Sequence, residues 1–309
     1  MTARRNVRGA PSVRNRHRDA SRASEHGGEL QRVDVAAVSP VRVPDLASDR
    51  ARDRLAKLID PLTWITRPKL YGVERIPTGG VLLVGNHTIY GLLDVPFMMA
   101  TLWRDHRIAV RALGDHLHYA FPLWRELLEL GGMVRGTREN VRALMSARQN
   151  VLVFPGGARE VAKRRHEQYR LIWKERLGFA RLAIEWGYPI VPFAAVGAEE
   201  MLDVVIDENS PIYGQLVELL LKMHVPSPPP IVRGIGPTPI PRPERLYFLF
   251  GEVIDTSCYM GRHEDDRAAR AVRDEVRCAV EEGIDFLRAE REKDPDRRLT
   301  RRLLVRHES

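Results

Sequence analysis

Short apolar segments that lead into a glycine turn constrain the fold of this chain most strongly. Residues 81–84 and residues 151–154 are both of this kind. Between such segments the sequence shows helical periodicity, at residues 92–103 and again at residues 167–186. Strands that alternate with helices predict an α/β fold, in which a mainly parallel central sheet is flanked by helices.

Two amphipathic helices are predicted to frame this sheet, one before it and one after it. Residues 49–66 and 267–291 each place apolar side chains at three- and four-residue steps. The first helix either packs on the domain or lies on a membrane surface with Trp64 at the interface. The second helix is expected to present its apolar face to the core.

The pattern divides the chain into four parts. Residues 1–45 lack apolar periodicity and are expected to form a disordered basic arm. Residues 46–72 hold the first amphipathic helix with its possible membrane contact, residues 73–292 form the main domain, and residues 293–309 form a basic tail. No run of about 20 apolar residues predicts a membrane-spanning helix.

The net charge of +8 lies mostly at the two ends of the chain. Residues 1–30 carry seven Arg and three acidic residues, and residues 291–309 carry seven basic and four acidic residues. The body is therefore nearly neutral, which argues against a nucleic-acid-binding surface on the domain. The basic ends could still touch phosphates or anionic lipid.

The numbers of cysteine, arginine and lysine residues indicate the cellular environment of the protein. The two cysteines, Cys258 and Cys278, have neither the number of a disulfide framework nor the spacing of a metal site. We therefore expect reduced thiols in a cytosolic setting. The chain holds 43 Arg but only six Lys, a bias typical of a GC-rich bacterial genome.

A histidine follows the first of the apolar segments. His87 lies two residues after Gly85, at the expected carboxyl end of a strand, where ligands of open α/β sheets bind. An imidazole there can act as a general base near neutral pH. Asp94 can pair with it only if residues 88–91 form a loop, because a continuous helix would separate the two by about 10 Å. Asp115, His116 and His118 are alternative sources of the acid–base group.

A second polar loop follows the strand at 151–154. Adjacent glycines let backbone N–H groups approach an anion, and Arg159 can hold a phosphate or carboxylate at two points. Arg135, which lies among glycines, either reaches the same pocket or belongs to a solvated turn. Lys163 and its neighbours Arg164 and Arg165 either meet phosphates with Arg159 or form a solvated helix face.

Taken in order, these segments resemble the glycerolipid acyltransferase superfamily. The resemblance covers roughly residues 73–200, with weaker similarity to about residue 256. The family's Asn-His block with its following aspartate corresponds to His87 and Asp94, and its last block corresponds to residues 189–192. The resemblance implies catalytic roles for that pair. It implies substrate-binding roles for Arg135, Phe154, Pro155, Gly156, Gly157 and Arg159.

This resemblance also implies an activity. The family moves a fatty acyl group from acyl-CoA or acyl carrier protein to a lipid hydroxyl, with the histidine as general base. Its reaction needs no covalent enzyme intermediate, no metal and no bound cofactor. The expected protein is an acyltransferase of lipid metabolism, cytoplasmic and peripherally associated with the inner face of the membrane.

The chain departs from the family pattern at two places. Six residues rather than four separate His87 from Asp94, and Gly156 replaces the usual glutamate. The form Phe-Pro-Gly-Gly-Ala-Arg-Glu is closest to the branch of diacylglycerol acyltransferases and phytyl ester synthases, which implies a neutral-lipid acceptor. The same departures leave open an alternative, a catalytically silent lipid-binding protein on this fold.

Overall fold

The computed structural model describes residues 43–304, except 90, 92, 116–118, 120–121, 208–212, 216–217 and 219–229. The described residues belong to one compact unit. Nearly all of the basic arm predicted at 1–45 lies outside them, as do residues 305–309 of the predicted tail.

Seven strands form a central sheet in the spatial order β1-β9-β6-β2-β5-β3-β4. They are β1 (Lys69–Tyr71), β2 (Leu82–Gly85), β3 (Arg111–Gly114), β4 (Val134–Arg135), β5 (Val151–Val153), β6 (Ile190–Val196) and β9 (Tyr247–Phe250). Five neighbouring strands, from β6 to β4, are parallel, whereas β9 pairs with β6 in the antiparallel direction. A separate antiparallel ribbon joins β7 (Asp203–Ile206) to β8 (Ile231–Arg233). The predicted mainly parallel sheet is confirmed.

Helices cover both faces of this sheet. They are α1 (Asp49–Thr66), α2 (Val95–His106), α3 (Pro122–Leu130), α4 (Arg138–Ser146), α5 (Ala158–Val161), α6 (Gly178–Trp186), α7 (Asp266–Lys293) and α8 (Leu299–Leu304). Helices α4, α6 and α7 pack against one face, and α2 packs against the other. Side chains of β2 alternate between these two cores, with Leu82 and Val84 in one and Leu83 in the other.

Helix α1 packs on α2 and still exposes apolar side chains. Ala56 of α1 is buried against Trp103 of α2. The guanidinium of Arg52 lies 3.8 Å from the centre of the Trp103 ring, and the Trp103 indole N–H donates to Asp53. Leu58 nevertheless remains 74% exposed. The helix is therefore attached to the domain by one side and leaves an apolar side uncovered.

The long helix predicted at residues 167–186 is wrong over its first half, because α6 begins only at Gly178. Two buried carboxylates bind backbone N–H groups that a helix would have used. Tyr169 donates its N–H to Glu199 at 2.6 Å, and Ile172 donates its N–H to Glu160 at 2.7 Å. Residues 167–177 consequently form an irregular segment beside the carboxyl ends of the strands.

Candidate active site

The two polar loops predicted from the sequence meet at one edge of the sheet. Strands β2 and β5 are parallel neighbours, with Leu82 opposite Val151 and Val84 opposite Val153. Both strands therefore end at the same edge, as parallel neighbours must. His87 and Phe154 stack there with ring centroids 4.0 Å apart and an angle of 18° between the ring planes. Phe154 thus supports the imidazole directly.

Asn86 anchors the histidine loop to the sheet. Its side-chain N–H donates to the carbonyl of Ala195 at 3.0 Å, and its side-chain oxygen accepts the Ala195 N–H at 2.8 Å. Asn86 is fully buried. The side chain therefore extends the pairing of β2 with β6 by one step and fixes the backbone immediately before His87.

Glu160, at the end of the second loop, holds the same backbone from the other side. One carboxylate oxygen accepts the His87 N–H at 3.1 Å, and the other accepts the Ile172 N–H. Glu160 is completely buried, and this burial raises the pKa of its carboxyl group. No function was predicted for Glu160 from the sequence. It could have been noticed because it is a glutamate four residues after Gly156, the position where the family pattern has its glutamate.

Asp94 lies at the start of α2, where it caps the helix. Its carboxylate accepts a hydrogen bond from the Thr88 hydroxyl at 2.8 Å and from the Val95 N–H at 2.7 Å. Residues 88 and 89 precede the helix as a turn, so the loop required by the predicted pair is present. Burial raises the pKa of Asp94 to about 6.

Arg159 has an internal partner. Its guanidinium binds both carboxylate oxygens of Glu167 at 2.7 Å and donates to the carbonyl of Ala162 at 3.1 Å. The guanidinium that was predicted to hold a phosphate or carboxylate therefore already has a carboxylate partner within the chain, bound through its Nη2 atom. The salt bridge instead closes the loop that carries Glu160.

Lys163 was predicted to join Arg159 in an exposed basic cluster, and this prediction is wrong. The side chain is buried and forms a salt bridge with buried Glu199. Asp94 and Glu160 are buried as well, and Lys163 lowers the pKa of each by its positive charge, against the larger effect of burial. The positive charge of Lys163 therefore interacts with three buried carboxylates, those of Asp94, Glu160 and Glu199.

A second arginine, Arg176, binds the Pro-Gly-Gly turn, and it was not among the residues predicted from the sequence. Arg176 donates to the carbonyl of Pro155 at 2.8 Å, and its side chain is exposed. The N–H of Gly157 donates to the carbonyl of Phe154 at 3.1 Å. Gly157 is therefore not available as an oxyanion donor, and the N–H of Gly156 is the remaining member of the predicted pair.

Arg135 ends β4 at the outer end of the same sheet edge. Three strand spacings separate β4 from β2, which amounts to roughly 14 Å. The Arg135 guanidinium lies 5.4 Å from the centre of the Tyr119 ring. Asp115 follows β3 on this edge and is exposed, whereas His116 and His118 lie outside the described residues. Arg135 is thus on the predicted edge but distant from His87.

An apolar cavity of about 350 Å³ opens beside the histidine loop. Side chains of α1, α2 and α3 line it, together with residues 131–133 and Gly91. Gly91 contacts the imidazole so closely that a Cβ built on it would overlap Cε1 of His87 and lie 2.9 Å from both ring nitrogens. The imidazole thus contacts Gly91, which belongs to the lining of a space suited to a hydrocarbon chain.

Two further observations concern only the described residues. Within this part of the chain, no group of His, Cys, Asp and Glu side chains is arranged to hold a metal ion. Over the same residues, no helix combines the length and the apolar character needed to span a membrane.

The acyltransferase family model matches residues 67–196. Phytyl ester synthase 1 of Arabidopsis thaliana is 32% identical over 256 residues, which cover 75% of this chain and 36% of that protein. The mouse protein named DGAT1/2-independent enzyme synthesizing storage lipids is 30% identical over 145 residues, 47% of this chain and 44% of that protein.

Among solved structures, the 1-acyl-sn-glycerophosphate acyltransferase PlsC of Thermotoga maritima matches with a TM-score of 0.47 and 16% identity. The match covers 78% of this chain and 80% of that one. The acyltransferase family match over residues 67–196 and the similarity to these relatives support the glycerolipid acyltransferase superfamily. It spans only 36% of the length of the phytyl ester synthases that it matches.

Proposed function

We propose that this chain is an O-acyltransferase that moves a fatty acyl group from acyl-CoA, or from acyl carrier protein, to a lipid hydroxyl. The observation that carries the proposal is the position of His87. Its imidazole lies at the carboxyl edge of the sheet, stacks on Phe154 and contacts Gly91, which lines the apolar cavity. A general base is thereby placed beside a hydrocarbon-binding space.

The proposed chemistry needs only this base. An alcohol is a weak nucleophile, so His87 takes the hydroxyl proton while the alcohol oxygen attacks the thioester carbonyl carbon. The tetrahedral intermediate then expels the thiolate, which receives the proton from the imidazolium, and the new ester is released. The Gly156 N–H is the proposed donor to the oxyanion. No bond to the protein forms at any step.

Asp94 enters this proposal through the loop that carries the base. Because Asp94 binds the Thr88 hydroxyl and the first N–H of α2, it holds the turn that begins directly after His87. We assign it to orienting that turn. The resulting imidazolium is stabilised by the three buried carboxylates beneath the loop, which carry negative charge when ionised.

A neutral lipid alcohol is the proposed acceptor. The relatives named for the synthesis of phytyl esters and of storage lipids support this class. Arg159 of the second loop is already paired with Glu167, so a phosphate that bound Arg159 would have to displace Glu167. An uncharged lipid alcohol does not compete with Glu167 for the Arg159 guanidinium.

The rim of the cavity is the proposed contact with the membrane. Leu58 of α1 and Leu127 and Leu130 of α3 line the cavity and are also exposed, by 74%, 51% and 45%. Trp64 lies on α1 nearby in sequence and is 52% exposed. An apolar rim around an apolar cavity lets a lipid pass from the cytoplasmic leaflet to His87 without crossing water.

One experiment tests the acceptor and the activity together. The purified protein is incubated with a single labelled acyl-CoA and a panel of lysophospholipids, mono- and diacylglycerols and fatty alcohols. We expect label in a neutral lipid ester. Binding to lipid vesicles with no ester formed from acyl-CoA or acyl carrier protein would contradict the proposal. That outcome would support the silent lipid-binding alternative.

A further inference from the structure

Glu160 occupies the space that a side chain at position 156 would fill. A Cβ built on Gly156 would overlap the Cγ, Cδ and Oε2 atoms of Glu160. Gly156 is not among the residues with positive φ, so its backbone conformation is open to any residue. The glycine is therefore required because the Glu160 side chain passes over it.

The Glu160 side chain passes over Gly156, and its carboxylate accepts hydrogen bonds from two backbone N–H groups. The N–H of His87 and the N–H of Ile172 belong to different loops, and each donates to one carboxylate oxygen. Hydrogen bonds to a charged acceptor are roughly twice as strong as neutral ones. Glu160 therefore ties the histidine loop to the irregular segment before α6. It fixes the peptide group of His87 while Phe154 fixes the ring.

Two accepted N–H bonds and the positive charge of Lys163 favour the ionised Glu160 carboxylate, whereas burial and Glu199 raise its pKa. Lys163 lies close enough to oppose the effect of burial on the Glu160 carboxyl group. Lys163 is itself held by Glu199, whose other oxygen binds the Tyr169 N–H. The cluster thus links the Glu160 helix turn, the 167–177 segment and the end of β6 into one buried unit.

We propose that Glu160 is a positioning residue for the transfer reaction and that Gly156 and Glu160 form one structural unit. Glu160 holds the imidazole of His87 in place through the His87 backbone N–H, and Gly156 leaves the room that this side chain needs. The inference rests on the proposed function, in which His87 is the base.

The first test separates turnover from binding. Glutamine at position 160 keeps the shape but offers only one acceptor oxygen to two N–H donors. Glu160→Gln is therefore expected to lower kcat roughly 10- to 100-fold, the scale of a lost charge-assisted hydrogen bond, with KM for both substrates nearly unchanged. Glu185→Gln is the control, because Glu185, near the C-terminal end of α6, binds Arg142 of α4 rather than the histidine loop.

The second test uses the steric unit and needs no activity. Gly156→Ala should lower the melting temperature strongly in the wild-type background, because the methyl group collides with Glu160. In the Glu160→Ala background that collision is absent, so Gly156→Ala should cost little more than Glu160→Ala alone. Equal effects of Gly156→Ala in both backgrounds would overturn the structural unit.

The outcomes distinguish this inference from the proposed function. A wild-type protein without acyl transfer overturns both. A wild-type protein that transfers acyl groups, with a folded Glu160→Gln variant of full kcat, leaves the proposed function standing and overturns the positioning role.

Discussion

Gly91 offers the sharpest perturbation of the candidate base, because one added methyl group would reach the imidazole without changing any chemical group. A Cβ at this position overlaps Cε1 of His87. Non-bonded carbons pack at about 3.5–4.0 Å, so the ring has to move by roughly 1.5 Å and give up its stacking on Phe154. Displacements of about 1 Å at a reacting centre can cost 100-fold in rate.

The expected result for Gly91→Ala is thus a loss of about 100-fold in kcat/KM, which corresponds to about 2.7 kcal/mol. The substitution also carries a backbone cost, because Gly91 has a φ of 60° and L-residues pay roughly 1–2 kcal/mol in that region. The assay is ester formation from labelled acyl donor on the acceptor that the wild-type protein uses, with melting temperature measured in parallel.

Gly236→Ala is the matched control for that backbone cost. Gly236 has a φ of 57°, and a Cβ built there would meet no atom within 4 Å. Both variants carry the backbone cost, and Gly91→Ala should lose more stability than Gly236→Ala because only its methyl group also collides with His87. Only Gly91→Ala should lose activity. A folded Gly91→Ala protein with at least half of the wild-type rate would refute the placement of the reacting groups beside His87.

Two further predictions follow from burial and exposure. Because burial raises the pKa of Asp94 from 3.8 to about 6, the folded state binds this proton more tightly, and the associated stability is lost as pH rises through 6. Asp94→Asn should therefore gain about 2.4 kcal/mol of unfolding free energy relative to wild type between pH 4 and pH 8 in denaturant unfolding, and a pH-independent difference would contradict this. Leu58→Ser combined with Leu127→Ser should weaken vesicle binding at least 10-fold, since each exposed leucine contributes about 1 kcal/mol on burial. Ile240→Ser, at another exposed apolar residue, should not weaken it.

The elements with clear periodicity were predictable from the sequence. Helix α1 has its predicted bounds at Asp49–Thr66, and β5 lies at Val151–Val153 within the predicted apolar segment at residues 151–154. The apolar run of β6 is buried at all seven positions, so local pattern and tertiary burial agree.

The edge of the sheet that carries the site was predictable because it follows from strand direction. Parallel strands end at the same edge, and because β2 and β5 are also neighbours, their loops bring His87 beside residues 154–160. The partners of the charged side chains were not predictable. Arg159 binds Glu167 and Lys163 binds Glu199, and both contacts depend on an irregular segment whose apolar residues suggested a helix.

The role of Glu160 shows the limit of motif comparison most clearly. A pattern aligned by position records a lost glutamate at 156, whereas the fold places a carboxylate over that glycine from a residue four positions later. Whether Glu160 can take the place of a glutamate at position 156 depends on the space over Gly156 and on the direction of the hydrogen bonds, and the sequence alone shows neither. The cap that Asp94 forms at the start of α2 was likewise not evident from the order of the residues, and its pairing with His87 stays a prediction.

The central claim is that the imidazole of His87 is the base for ester formation. Its most direct test compares wild-type protein with His87→Ala in ester formation from labelled acyl donor, with His106→Ala as control at the far end of α2. We expect His87→Ala to lose at least about 100-fold in rate while His106→Ala keeps the wild-type rate. A folded His87→Ala protein that forms ester at the wild-type rate would contradict the claim.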